Sequence, residues 1–213
     1  MSNKTIRVGR QTAGEAVITK NEILGSAFDL FSTKGFDATS IREIAAHADV
    51  SHGTIRHHFG SKLDIWFAIV DRHNALYSTE LNAALSLEAS SEKNELNLFK
   101  AAVSVLIKTL YDHPQMIRLI SMEYDAENDR SRYLSENIIG MHLYVSQLFD
   151  AAKECAPRLK KYTSDTFLVA LLGLISAPIN FSILNKVIAS EDIMSAEFKD
   201  HYQSLIMNIL FGD

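Results

Sequence analysis

The sequence is poor in the residues that build disulfide scaffolds and turn-rich folds. Cys155 is the only cysteine among 213 residues, so an intrachain disulfide and a cysteine-rich metal centre are both excluded. Only three prolines and nine glycines are present, which favours long helices over many tight turns. The opening residues, MSNKTIRVGRQ, contain no apolar run of the signal-peptide type. We therefore expect a reducing, cytoplasmic setting rather than secretion.

Long uncharged runs are also scarce. The run from Thr166 to Asn185, TFLVALLGLISAPINFSILN, has the length of a membrane span. Ser176, Pro178 and Asn180 dilute its second half, so we expect no membrane partner. A helix that is apolar nearly all round is instead predicted to be buried on two sides, against its own domain and against a partner subunit. Pro178 should kink or end that helix.

The charge is acidic overall but unevenly distributed. The formal net charge of -5 would by itself argue against a nucleic-acid ligand. Residues 1–65 nevertheless carry eight basic and seven acidic side chains, whereas residues 66–213 carry thirteen and nineteen. The acidity therefore belongs to the larger C-terminal part, and the N-terminal part remains compatible with DNA.

Two short helices joined by a tight turn are predicted between Thr39 and Lys62, TSIREIAAHADVSHGTIRHHFGSK. Ser40 precedes Glu43 by three residues, the spacing of a capping box that starts a helix. Apolar residues then recur at helical spacing from Ile41 to Ala48. Ser51 can cap a second short helix. Such a pair of helices is a helix-turn-helix.

The second of these helices has a small, polar and basic outer face. Ile55 and Phe59 share its inner face, so Gly53 and His57 lie opposite, flanked by Thr54 and Arg56. No carboxylate occurs from His52 to Lys62. A glycine lets the backbone approach a surface, and the neighbouring side chains can donate to phosphates or base edges. We expect this helix to seat its N-terminal half in the major groove.

These residues resemble the DNA-binding domain of TetR-type transcriptional regulators. The resemblance covers Thr19 to Ile65 and is carried by FSTKGFDATS, TSIREIAAHA and VSHGTIRHHFGSK. One position differs, because Arg56 stands where the family usually has tyrosine. The resemblance implies that these residues contact DNA: Thr39, Ser40, Arg42, Ser51, His52, Gly53, Thr54, Arg56, His57, His58 and Lys62.

The resemblance also implies an all-α protein of three parts. Residues 1–18 are expected to form a flexible basic arm, residues 19–65 the helix-turn-helix domain, and residues 66–213 a helical bundle for effector binding and dimerisation. A capping box at Thr19 and Glu22 predicts where the first helix begins. Further helices are predicted over 62–85, 96–111, 132–153, 166–185 and 195–211, with another starting at Pro114.

A small-molecule effector is expected within the bundle. Methionines and aromatic residues can line an adaptable apolar cavity while a few polar groups orient the ligand. They are also common in plain hydrophobic cores. The candidate ligand-binding residues are Met116, Met122, Tyr124, Met141, His142, Phe149 and Asn180.

No catalytic, cofactor or metal site is predicted. His52, His57 and His58 point in different directions on a helix and cannot converge on one ion. Neither a nucleophile–base arrangement nor a glycine-rich phosphate loop is recognisable. The resemblance to TetR-type regulators thus implies a homodimeric, ligand-responsive repressor that binds operator DNA. Two alternatives are a DNA-binding protein that positions a non-transcriptional partner, and a helical-bundle enzyme.

Overall fold

The computed structural model describes residues 13–89, 94–123, 127–188 and 192–212. All regular secondary structure in these ranges is helical, as predicted. The chain divides into two compact units, Met1–Ile69 and Val70–Asp213. Each is described separately below.

The first unit contains α1 (Ala13–Lys34), α2 (Ile41–His47), α3 (His52–Phe59) and the start of α4 (Lys62–Ala89). Its core is made of apolar side chains from all four helices. These side chains are at most 1% exposed: Ile23, Ala27, Phe31, Ile44, Ile55, Ile65 and Trp66. Burying so many large side chains is what holds two helices of only seven and eight residues, which would not be stable alone.

The start of α1 differs from the prediction. The helix begins at Ala13, six residues before Thr19, because Ala13, Glu15 and Ala16 are good helix formers with an acid in the first turn. Thr19 is 8% exposed and lies within the helix, so it is not the N-cap. Residues 13–18 are therefore helical, and the rest of the predicted arm lies outside the described residues.

The second unit is a helical bundle around α5. It comprises the remainder of α4, then α5 (Glu95–Asp112), α6 (Pro114–Glu123), α7 (Asp129–Cys155), α8 (Ser164–Asn180), α9 (Ser182–Ile188) and α10 (Ala196–Phe211), with a 3-10 turn at Leu159–Lys161. Four aromatic rings meet beside α5, with centroids 5.2–5.8 Å apart in tilted or edge-on pairs; they belong to Phe99, Phe149, Phe167 and Phe211. Such ring pairs stabilise the core beyond the contribution of the apolar area that they bury.

The uncharged run forms two helices instead of one. Pro178 cannot donate a backbone hydrogen bond, and α8 ends two residues later at Asn180. The Asn185 amide donates to the Pro178 carbonyl, which fixes the bend into α9. Among the described helices, none is long and apolar enough to cross a membrane.

Candidate DNA-binding surface and ligand cavity

The predicted capping box at the start of α2 is confirmed. The Ser40 hydroxyl accepts from the Glu43 amide at 3.2 Å, and the Ser40 amide donates to Glu43 Oε2 at 2.8 Å. Lys34 Nζ lies 3.1 Å from Glu43 Oε1. The Ser40 amide and the Lys34 ammonium together lower the pKa of Glu43 to about 2. Glu43 is thus an ionised capping group whose contacts, to Ser40 and Lys34, lie within the first unit.

A tight turn then sets the start of α3. Asp49 has φ 52°, a left-handed conformation that aspartate tolerates better than most residues. The Val50 amide donates to the Ala45 carbonyl at 3.0 Å. Ser51 caps α3 by accepting from the Thr54 amide at 3.1 Å, and the two hydroxyls are 2.8 Å apart. The turn therefore fixes where α3 begins.

The outer face of α3 is exposed. Ile55 is fully buried, while His52, Gly53, Arg56 and His57 are exposed and Thr54 is half-buried. In α2, Arg42 is exposed as well. We call the set of Arg42, His52, Gly53, Thr54, Arg56 and His57, which is polar and basic, the α3 face.

Gly53 is not needed by the fold. A Cβ atom built there would meet only Ser51 Oγ, at 3.6 Å, which is an ordinary van der Waals contact. Its φ is not positive, so the backbone does not require glycine either. Neither packing nor backbone conformation within the unit explains why this exposed helical position is glycine, so the reason lies outside the unit.

Five of the predicted contact residues lie outside the α3 face. Ser40 and Ser51 are the caps of α2 and α3, Lys62 is described below, and Thr39 and His58 are not exposed. Thr39 is 1% exposed, and its hydroxyl donates to the Gly35 carbonyl at 2.8 Å. His58 is half-buried, with Nε2 inaccessible. Thr39 instead holds the connection between α1 and α2. The His58 ring lies 5.4 Å from the His57 ring and 6.4 Å from the Phe59 ring, measured between centroids.

Lys62 has a structural role that the sequence did not reveal. Its ammonium donates to the Phe36 and Thr39 carbonyls, both at 2.8 Å, and lies 4.1 Å from the centre of the Phe36 ring. Charged hydrogen bonds and cation–π contacts of this kind are stabilising. Lys62 thus ties the start of α4 to the loop before α2.

We expect Lys62→Ala to lower the free energy of unfolding of the first unit by about 1.5–3 kcal/mol, because two carbonyls lose a charged donor. The single tryptophan, Trp66, is fully buried in this unit, so its fluorescence during urea unfolding reports the change. Lys20→Ala is the matched control, since Lys20 is exposed and its ammonium lies 5.6 Å from the centre of the Phe59 ring, a weaker contact than those of Lys62. Unchanged stability of Lys62→Ala, combined with weaker DNA binding, would instead indicate a phosphate contact alone.

Two adjoining cavities lie in the second unit. The inner cavity, of about 140 Å³, is mostly apolar. Its lining is His73, Asn74, Tyr77, Leu106, Thr109, Leu110, His113, Met116, Ile120, Leu134, Ile138, Met141 and Leu172. The outer cavity, of about 330 Å³, is more polar, and is lined by Asn74, Tyr77, Ser78, Leu81, Asn82, Asn137, Gly140, Met141 and Tyr144.

Among the predicted ligand-binding residues that the structure describes, Met116 and Met141 line these cavities and the others do not. Phe149 is fully buried among the aromatic rings of the core, and Met122 is 49% exposed. His142 lies 3.3 Å from Asp165, and Asn180 donates to Ser121 at 3.0 Å. Tyr124 lies outside the described residues.

The polar lining of the cavities was not predicted from the sequence. His73 and Tyr77 come from α4, at helical spacing, and face His113 and Thr109 on and after α5. The rings of His73 and His113 meet edge to face at 5.1 Å. Tyr77 was recognisable as a polar group within the buried stripe of α4, but its neighbours come from four other helices. No local pattern brings them together.

Comparison with known proteins finds similarity to bacterial transcriptional regulators. Residues 23–69 match the bacterial regulatory proteins of the tetR family. The chain is 28% identical over 162 residues to a probable HTH-type transcriptional regulator, YttP, of Bacillus subtilis (strain 168), covering 76% of this chain and 77% of that one. It is 25% identical over 173 residues to the HTH-type transcriptional repressor BepR of Brucella suis biovar 1, covering 77% and 81%.

The fold is similar to that of a solved protein, AibR. The crystal structure of AibR in complex with isovaleryl coenzyme A and operator DNA matches with a TM-score of 0.71 at 14% sequence identity. The match covers 91% of this chain and 98% of that one. The likeness therefore concerns the architecture of both units.

Proposed function

We propose that this chain, which belongs to the TetR family of bacterial regulatory proteins, represses transcription until a small molecule enters the cavities of its second unit. Members of the family are transcriptional regulators and not enzymes, so the α3 face is a DNA-binding surface. The observation that carries the proposal is that this face is exposed, basic and without a carboxylate over residues 52–62. Operator binding by a bacterial regulator takes place in the cytoplasm.

The residues of the α3 face divide into two roles. Arg56 supplies sequence-independent affinity through a phosphate, since a guanidinium binds phosphate oxygens well. His57, Thr54 and Arg42 read base edges from the major groove. His52 and the capped start of α3 lie close to the DNA backbone, because the amides at the start of a helix favour an anion such as a phosphate.

The protein acts as a homodimer. Apolar side chains of α8 and α10 are exposed in the single chain, including Val169 at 71%, Leu205 at 50% and Ile209 at 48%. We call this set, together with the 47% exposed Leu172, the α8–α10 face. A two-fold pair would present two copies of α3 to half-sites about 34–36 Å apart.

Release by a ligand is coupled through α4. This helix includes Lys62, Ile65 and Trp66 in the first unit and His73 and Tyr77 at the cavities. A ligand that binds more tightly to one orientation of α4 would shift the population toward that orientation. The spacing of the paired recognition helices would change as a result. The regulator AibR, solved with both a coenzyme A thioester and operator DNA, is an example of the two activities in this fold.

The proposal is tested by selecting duplexes from a random pool with the purified protein and measuring their affinity at several salt concentrations. Arg56→Ala should weaken binding to selected and random duplexes alike and reduce the salt slope by about one. His57→Ala should cost about 1–3 kcal/mol on the selected sequence only. Failure to enrich any sequence would refute the operator-binding function. Equal losses by both variants on both kinds of DNA would refute the division of roles.

A further inference from the structure

The Tyr77 side chain sits where the two cavities adjoin. Together with Asn74 and Met141 it lines both. Tyr77 is 5% exposed, and no hydrogen-bond partner for its hydroxyl is found in the described part of the chain. Burial raises the pKa of this phenol, so it keeps its proton and remains a donor. A buried hydroxyl without a partner costs free energy, which a ligand oxygen would recover.

Two other polar groups of the lining are already engaged by neighbouring side chains. Thr109 donates to Glu80 at 2.8 Å, and Asn74 donates to Asn137 at 2.9 Å. The described residues that line the two cavities include no lysine, arginine, aspartate or glutamate. A carboxylate or phosphate ligand would therefore meet no permanently charged cation in this lining, only the imidazoles of His73 and His113, and its burial there would be costly.

The size and lining of the inner cavity define the rest of the ligand. Its volume of about 140 Å³ is close to that of apolar cavities that hold one benzene ring. Eight of its lining residues are leucine, isoleucine or methionine, and Met141 can change rotamer readily to open the way to the Tyr77 hydroxyl.

We propose that the effector is a neutral, ring-sized apolar molecule of the phenol class, whose oxygen accepts a hydrogen bond from Tyr77. The inference rests on the proposed function and narrows its ligand. The ring occupies the inner cavity with its oxygen at Tyr77, and a substituent on that oxygen or on the ring carbon next to it would extend into the outer cavity beside Ser78 and Asn82.

The test compares phenol with toluene, which has the same shape and lacks the hydroxyl, by calorimetric titration of the 213-residue chain. Tyr77→Phe should weaken phenol binding about three- to tenfold and leave toluene binding unchanged. The same substitution should raise the melting temperature of the ligand-free protein by about 2–4 °C, since it removes an unsatisfied group. A hydroxyl with a merely structural role would lower that temperature when removed.

Tyr111→Phe is the matched control. Tyr111 is also 5% exposed, and its hydroxyl likewise lacks a partner within the described residues, but it lines neither cavity. It should change the affinity for neither probe. Equal affinities of wild type and Tyr77→Phe for phenol would overturn the assignment of Tyr77. An absence of binding by both probes would overturn the ligand class.

Operator binding separates the failure of this inference from that of the proposed function. Phenol should reduce the affinity of wild type for its selected duplex and affect Tyr77→Phe less. If octanoate releases the duplex while phenol does not bind, the phenol class is refuted and ligand-controlled repression stands. If the protein selects no duplex at all, the proposed function fails, whatever the calorimetry shows.

Discussion

Replacing Gly53 with alanine should reduce operator affinity about 100-fold, or about 2.8 kcal/mol, without harming the fold. Alanine is favoured over glycine within helices by up to about 1 kcal/mol, and the first unit has room for the methyl group. Against DNA the same methyl would stand between the α3 backbone and the groove. It would push the helix outward and lengthen every phosphate and base contact on the α3 face at once.

The measurement pairs operator binding with thermal unfolding followed by Trp66 fluorescence. Gly25→Ala is the control, because Gly25 is an exposed helical glycine of α1 with nothing within 4 Å of the added Cβ. It should leave the affinity unchanged and stabilise the unit by a similar amount. Wild-type affinity in Gly53→Ala would show that the α3 backbone does not approach DNA closely, and would remove the reason we give for this glycine.

The helix-turn-helix was predictable because its signals are local. The Ser40–Glu43 capping box, the Ser51 cap and the buried Ile44 and Ile55 all depend on residues three or four apart. The same signal was misleading at Thr19, where a threonine precedes an acid by three residues but faces the core. A capping pattern cannot distinguish a helix start from a buried threonine when the preceding residues also favour a helix.

The cavities were poorly predicted for the opposite reason. Whether an apolar side chain such as Met116 or Phe149 meets a void or another ring depends on helices distant in the sequence. Phe149 packs against Phe99 and Phe167, whereas Met116 lines empty space. Both occupy the apolar faces of their helices, so helical periodicity gives them the same prediction.

Lys62 shows a related limit. Its position at the start of a helix after a basic segment fits a phosphate contact, which remains a prediction. The structure adds two backbone carbonyls, 23 and 26 residues earlier in the chain, that accept from the same ammonium. Partners so far away in sequence leave no periodic trace, so only the folded unit reveals them.

Placing glutamates at Val169 and Leu205 should convert the protein to a monomer and abolish operator binding. The two side chains are 71% and 50% exposed in the single chain, so a carboxylate is tolerated by the monomer. In a dimer it would be desolvated without a partner, at a cost of several kcal/mol for each ion. Leu172 is the less suitable site, because it also lines the inner cavity.

The α8–α10 face lies outside the unit that carries the α3 face, so any loss of DNA binding must act through assembly. Leu87→Glu is the control, since Leu87 is 74% exposed on α4 and outside the proposed interface. Light scattering should give about twice the chain mass of 23.8 kDa for wild type and Leu87→Glu, and one chain mass for the double variant. A wild type that is monomeric at micromolar concentration, or a double variant that still dimerises, would contradict this interface. A monomer binds one half-site and loses the gain in affinity that linked binding to two half-sites provides. Its affinity should therefore fall to that of a single recognition helix.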